Sequence, residues 1–276
     1  MRFAVEKAFY QKNGYVVLKE VVPPQHILEI RQAIHSVIQF QLRQRCQPVS
    51  RNENPLECLH EDMQTLLRHN VQLYLSTVRY LPKLASVYRW SVSDRVQEIL
   101  SDFGLAPFSM STEPVIHIMS EKLKIPNGYF GLEAHQDWPS VQGSLDVITM
   151  WTPLMEISPT TYPVQVIPQS HLKGLWEGEI TPYALQIKPE LLEDQPFVDC
   201  PVPLGGVLLM NGFTVHRSAT ENCQGLRIAF STRYENPFEP TFAQRGYPSA
   251  YKRSVERNLF TPNFPTSEQV QKALGL

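Results

Sequence analysis

The chain has 276 residues, 42% of them hydrophobic, with 25 Lys and Arg against 27 Asp and Glu and a formal net charge of -2. That length can bury a substantial core in one large domain or two small ones, and so even a charge gives nucleic acid no basic field to bind through its phosphates. Cys46, Cys58, Cys200 and Cys223 are scattered without a CxxC, and no apolar run has the length of a leader or a membrane span, so a reduced cytoplasmic protein with no membrane partner is expected.

Taken in chain order, residues up to about 110 read mainly as helix. From Pro24, the residues Ile27, Ile30, Ile34, Val37 and Ile38 fall on one stripe, with proline in the first turn where its missing N–H costs little. Arg43 to Pro55 is polar and reads as a loop. Leu67, Val71, Leu75 and Val78 make a second stripe that Pro82 ends or kinks. Val92, Val96, Ile99 and Leu100 make a third, closed at Asp102-Phe103-Gly104.

Past Thr112 the period changes. Val115 to Ser120, Val147 to Trp151, Val164 to Ile167, Gly206 to Met210 and Leu226 to Phe230 are short strands separated by Pro, Gly and Asn. Such a series predicts an antiparallel barrel or sandwich. The sheet begins where the helices stop, so the helices are expected on one of its faces within a single domain spanning 1–276. Residues 235–276 read as a lid or a surface wrap, and there is no internal repeat.

His135 and Asp137 are two residues apart, a spacing that puts both side chains on one face of an extended strand. With His216, which follows an apolar strand, they make the two-imidazole, one-carboxylate set of a non-haem iron site that keeps open positions for chemistry. The same set also suits a catalytic zinc. The spacing alone is weak, because His60-Glu61-Asp62 repeats it just before a helical stripe, where an acidic residue is ordinary helix-end electrostatics and residues two apart diverge. Arg227 shifts the balance. Leu226, Ile228 and Phe230 share the apolar face of their strand, so Arg227 faces the other way and needs an anion, either a protein carboxylate or the distal carboxylate of a small dicarboxylic co-substrate. Arg233 has the same parity but stands at the strand's end and reads as a rim charge.

Several segments in order carry a wider likeness. They are Phe9-Tyr10 through Gly14-Tyr15-Val16-Val17-Leu18, His135-Gln136-Asp137-Trp138, Trp151-Thr152-Pro153-Leu154, Val166-Ile167-Pro168-Gln169-Ser170-His171, Pro203 to Leu209, and His216-Arg217-Ser218 with Asn222 and Arg227. As an ordered set over nearly the whole length, they resemble the phytanoyl-CoA dioxygenase family of Fe(II)/2-oxoglutarate oxygenases. The resemblance implies a mainly β fold with flanking helices, its core a double-stranded β-helix (jelly roll, cupin-like) over about 111–234. It implies His135, Asp137 and His216 as iron ligands and Arg227, helped by Ser218, on the distal carboxylate of 2-oxoglutarate. Trp151 matches a pocket position, His117 or Met119 another wall, and Lys122 or Lys124 a further cation.

O2 would be the second co-substrate. The implied reaction hydroxylates an unactivated C–H of a small-molecule metabolite, within biosynthesis, and releases succinate and CO2. Desaturation, ring formation or another oxidation is the alternative within the same chemistry; a zinc hydrolase and a non-catalytic cupin-like binding protein are the rivals outside it. An intact Asp137 argues against halogenation, for which related enzymes carry a small residue there. Two departures from the family's pattern, Gln169 where glycine is usual and Thr160-Thr161-Tyr162 before the next strand, are expected to alter loops near the mouth. His171 is expected to be structural, and the oligomeric state is left open between monomer and homodimer.

Overall fold

Helices come first because apolar residues recur every three or four positions through the first hundred residues. The computed structural model describes residues 2–126, 128–182, 184–249 and 266–274. Helix α1 (Ala4–Asn13) ends at Gly14, whose φ of +83° and N–H to Tyr10 O close the helix and turn the chain into strand β1 (Tyr15–Leu18). Helix α2 (Pro24–Arg43) buries Ile27, Ile30, Ile34, Ile38 and Leu42, the expected stripe, with Val37 half-buried.

The second stripe is two helices rather than one. Helix α3 (Pro55–His69) and helix α4 (Val71–Tyr80) meet at Asn70, whose side chain accepts from the Leu73 N–H at 2.9 Å and caps α4. Capping outweighs continued periodicity here. Val71 is exposed, and Leu66, Tyr74 and Thr77 are the buried residues instead. Helix α5 (Ala85–Ser91) was not anticipated. Helix α6 (Asp94–Asp102) buries Val96, Ile99 and Leu100, while Val92 lies exposed before it.

The strands that follow are β2 (Ser109–Met110), β3 (Val115–Met119), β4 (Val147–Pro153), β5 (Val164–Val166), β6 (Gly178–Ile180), β7 (Leu185–Ile187), β8 (Val198–Cys200), β9 (Val207–Asn211), β10 (His216–Ser218) and β11 (Arg227–Glu235). A short helix, α7 (Trp138–Val141), precedes β4, and α8 (Pro240–Gln244) and α9 (Ser267–Leu274) follow β11. One antiparallel sheet has the order β1-β9-β4-β11-β2, with β3 also paired to β11; a smaller one has the order β10-β5-β8, and β6 pairs with β7.

The arrangement resembles a double-stranded β-helix, but two expectations are corrected. The fold is mixed α/β rather than mainly β, since six helices fill most of the first hundred residues. Among the described residues the sheets do not close into a barrel: His135 meets β10 and β7 only through isolated bridges to His216 and Gln186.

One hydrophobic cluster runs through α2, α3, α6 and the strands of the larger sheet. Helix and sheet are also stitched by polar contacts: Trp90 Nε1 donates to Thr152 Oγ1 at 3.2 Å, Tyr234 Oη to Ser91 O at 2.8 Å, and Arg31 Nε to Leu154 O. Alternation along β11 therefore splits its residues. Ile228, Phe230 and Tyr234 face the helices, and Arg227, Ser231, Arg233 and Glu235 face the other side. Residues 250–265 of the expected C-terminal wrap lie outside the described residues, and no described helix is long and apolar enough to cross a membrane.

Candidate metal centre

Backbone hydrogen bonds of 3.0 Å in both directions join His135 to His216. Each imidazole is then oriented by a carbonyl two residues upstream: His135 Nδ1 lies 2.7 Å from Glu133 O, and His216 Nδ1 2.9 Å from Thr214 O. An Nδ1–H committed to a carbonyl leaves Nε2 as the free lone pair, the state a metal ligand needs. Asp137 is not in a strand, as the two-residue spacing predicted. It already has helical dihedrals (φ -74°, ψ -35°) at the entry to α7. It still shares a side with His135, because Gln136 between them is pinned the opposite way. Gln136 donates to Gly174 O at 2.8 Å and Phe213 O at 2.6 Å, and accepts from the Trp176 N–H at 2.9 Å.

The candidate donor atoms of His135, Asp137 and His216 lie within 4.8 Å of one another, and all three residues are buried. His216 Nε2 is 3.9 Å from Asp137 Oδ2. Two neutral nitrogen donors and one carboxylate oxygen on one side of a cleft can hold a divalent ion such as Fe(II). Burial, reinforced by the neighbouring His216, lowers the His135 pKa to about 3, so the ring is neutral and able to ligate.

Asp137 carries more than a ligand's share of contacts. Arg233 donates to Oδ1 through Nη2 at 2.6 Å and Nε at 3.0 Å, and Thr149 Oγ1 donates to Oδ2 at 2.6 Å. Burial alone would raise this carboxyl's pKa; the Arg233 guanidinium, the two imidazoles and the Thr149 hydroxyl outweigh it and hold the group well below the usual carboxylate range. The expectation that Arg233 is a rim charge is overturned. β11 runs on to Glu235 with Tyr234 paired on both sides, so Arg233 is an interior strand residue and only 7% exposed.

Arg227 is 1% exposed. It donates through Nη1 to Tyr162 O at 2.6 Å and through Nη2 to Ser218 Oγ at 3.1 Å, hydrogen-bonds the Tyr129 hydroxyl, and stands 5.7 Å from the centre of the Trp151 ring. None of these partners is acidic, and Nε has no partner among the described residues. A buried guanidinium held only by neutral groups is an anion site in waiting. Tyr162, expected at the mouth, is instead fully buried at φ +49°, a strained conformation that aims its carbonyl at Arg227.

The cleft draws on both sheets: His117 from β3, Trp151 from β4, Val164 from β5, Ser218 from β10 and Arg227 from β11 all line it. The His117 ring is fixed by Ser231 Oγ at 3.0 Å and Tyr129 Oη at 3.2 Å, and burial first, then Arg227, hold it neutral. Met119 is buried opposite Arg227 in the β3–β11 register but does not line the cleft. Lys122 and Lys124 are exposed on the turn after β3, Lys124 pairing with Glu121 at 3.4 Å, and neither lines the cleft. Tyr129 stands by Arg227 instead, and no spacing or composition signal marked it.

The decoy motif is structural. His60 bonds Ser120 Oγ at 2.9 Å, while Asp62, on another side of α3, takes His35 Nε2 at 2.7 Å, Gln39 Nε2 at 3.0 Å and the Ser50 N–H at 2.6 Å. Cys58 joins His35 and Asp62 in a second group of metal-capable residues, but Asp62 already spends both oxygens on hydrogen bonds between α2 and α3. His171 Nε2 meets Gln11 O at 3.1 Å, away from the triad.

Comparison with known proteins agrees with this geometry. The family model described as Phytanoyl-CoA dioxygenase (PhyH) matches residues 10–229. A search of the curated proteins gives no match. Among solved structures, the chain is similar to the non-haem α-ketoglutarate-dependent epimerase SnoN from nogalamycin biosynthesis, with a TM-score of 0.55 and 15% identity over 85% of this chain and 83% of that one. It is also similar to the carbocyclase SnoK from nogalamycin biosynthesis (TM-score 0.51, 16% identity, 92% of this chain and 94% of that one). A third is EvdO2 from Micromonospora carbonacea var. aurantiaca complexed with 2-oxoglutarate (TM-score 0.52, 15% identity, 84% of this chain and 89% of that one). At such identities the likeness shows a shared fold.

Proposed function

Because the chain belongs to the phytanoyl-CoA dioxygenase family, we propose that His135, Asp137 and His216 hold Fe(II) and that Arg227 holds the distal carboxylate of 2-oxoglutarate, with Ser218 and Tyr129 beside it. The protein is a non-haem Fe(II)- and 2-oxoglutarate-dependent oxidative enzyme acting on a small molecule. One observation carries the reading: a complete two-His, one-Asp set shares its cleft with a buried cation that has no acidic partner among the described residues. A zinc hydrolase would use the same three ligands with water as nucleophile but has no role for Arg227.

When bound, Fe(II) with 2-oxoglutarate and O2 supplies the oxidant for an unactivated C–H bond. The chain's own residues do the rest. His135 and His216 offer Nε2 because their Nδ1 atoms are committed to carbonyls, and Arg233 and Thr149 hold Asp137 in one orientation. Trp151 and His117 wall the co-substrate side.

The outcome of the oxidation is proposed to extend beyond hydroxylation. The sequence favoured an alcohol as product; solved structures of similar fold include an epimerase and a carbocyclase, which supports epimerisation and ring formation as alternatives to it. A succinate-release screen of a metabolite library with Fe(II), 2-oxoglutarate and O2, followed by mass spectrometry, tests this. A hydroxylated product gains one oxygen, a cyclised or desaturated one loses two hydrogens, and an epimer keeps its mass. Turnover that persists without O2 and 2-oxoglutarate would sink the reading.

A further inference from the structure

The family pattern implies a second cation for the co-substrate, from Lys122 or Lys124, yet both are exposed and neither lines the cleft. The chain beyond them folds back to the cleft and is fixed there. Ser218 N–H donates to Leu132 O at 2.9 Å, and Leu132 N–H to Ser218 Oγ at 3.3 Å. Gly131, at φ +83°, lies so close to this strand that a Cβ on it would stand 2.8 Å from Ser218 Cβ. Phe130 packs edge to face on the Tyr162 ring, with centroids 5.8 Å apart, and Tyr162 O in turn takes Arg227 Nη1. These contacts deliver Tyr129 to two wall residues at once: its hydroxyl lies 3.2 Å from His117 Nδ1 and hydrogen-bonds Arg227.

A phenol hydroxyl has one proton to give and lone pairs with which to accept. Neutral His117 has one donor and one acceptor nitrogen, and its Nε2 stands 3.0 Å from Ser231 Oγ, a group that serves equally as donor or acceptor. With the ring proton on Nδ1, Tyr129 Oη accepts from His117 and from Arg227, and its own O–H can turn to a ligand. His117 and Arg227 stay satisfied in that arrangement. The other partners of Arg227 are the neutral Tyr162 O and Ser218 Oγ. A carboxylate drawn to this guanidinium therefore arrives beside a second donor, the Tyr129 hydroxyl.

We propose that Tyr129 determines co-substrate specificity: its hydroxyl donates to the distal carboxylate held by Arg227, a neutral donor in the role that the family pattern gives to a lysine. The assignment rests on the oxygenase reading, which puts a 2-oxo diacid in this cleft. Such a hydroxyl contributes only to acids that carry the distal carboxylate. A phenol that merely packed the loop would support every 2-oxo acid alike.

The test titrates the full chain, anaerobic and loaded with Fe(II), with 2-oxoglutarate and with 2-oxovalerate. The second acid keeps the chelating 2-oxo acid end and carries a methyl group in place of the distal carboxylate. The visible charge-transfer band gives the half-saturating concentration of each. Tyr129→Phe is expected to weaken 2-oxoglutarate about tenfold, the size of one hydrogen bond to a charged group, and to leave 2-oxovalerate unchanged. Tyr129→Ala, in a loop outside both hydrophobic clusters, should show the same selective loss, so the proposal is testable with either variant. Equal weakening of the two acids, or no weakening of 2-oxoglutarate, overturns it. A native band without selective loss in the variants rejects this proposal alone, and no native band with either acid rejects the oxygenase reading and the proposal with it.

Discussion

Asp137 accepts three hydrogen bonds before any metal is considered, two from Arg233 and one from Thr149. Removing Arg233 would leave a buried carboxylate without its counter-ion. Arg233→Gln is therefore expected to destabilise the metal-free protein by about 3–5 kcal/mol, measured by denaturant unfolding. Mn(II) should restore more stability to this variant than to the native chain, because the ion replaces the missing charge; equal stabilisation of both would show that Arg233 does not act on the ligand. At Arg227 the expectation differs. Arg227→Ala should raise the 2-oxoglutarate KM about ten- to a hundredfold, the range of a lost charged hydrogen-bond set, and an unchanged KM would return the residue to a purely structural role. The triad residues and Arg227 were legible in the sequence because parity and motif order both point to them. Arg233, Tyr129 and Tyr162 were not: one depends on how far a strand continues, the others on where a loop folds back.

Helices and strands position these side chains through junctions. Gly14 links α1 to β1 at φ +83°, and a Cβ on it would meet His171 Nδ1 at 2.4 Å and Thr214 Oγ1 at 2.6 Å. Thr214 in turn orients His216 through its carbonyl. Gly14→Ala is expected to cost about 1–3 kcal/mol from left-handed backbone strain and the clash, and to weaken metal binding as well, both readable in one thermal-shift experiment with and without Mn(II). A drop in stability with metal affinity intact would break the proposed link from junction to ligand. The α2 stripe was readable because Ile27, Ile30, Ile34 and Ile38 keep one face for its whole length. The α3–α4 break was not, since a single Asn70 cap overrides a stripe that runs through it. His135–Asp137 shows the same limit: the shared side was anticipated, but a helix entry rather than a strand delivers it.

Across the whole molecule, a helical layer covers one face of the larger sheet and leaves the opposite face of β11 to charged and polar groups. That division concentrates neutral buried histidines at the cleft. His117 is held well below its ordinary value of 6.5 and His135 is lowered to about 3. Below pH 6.5 the unfolded chain takes up protons at these positions while the folded chain does not, so stability of the metal-free protein falls with pH, by about 1.4 kcal/mol per unit for each group. His117→Asn should remove one such contribution from the slope between pH 6 and pH 5, and a slope unchanged by the substitution would place the titration elsewhere. The general architecture, helices followed by an antiparallel sheet, was visible in the change of period near Thr112. The separation of the described strands into three unclosed sheets was not, because it depends on how few residues beside His135 pair with β10.

The central claim is that the triad and Arg227 together hold Fe(II) and 2-oxoglutarate, and anaerobic titration of Fe(II) into the protein with 2-oxoglutarate tests it most directly. A visible charge-transfer band saturating at one Fe(II) per chain is predicted, lost in Asp137→Ala and shifted to higher 2-oxoglutarate concentration in Arg227→Ala. Fe(II) binding with no such band at any 2-oxoglutarate concentration would contradict the account.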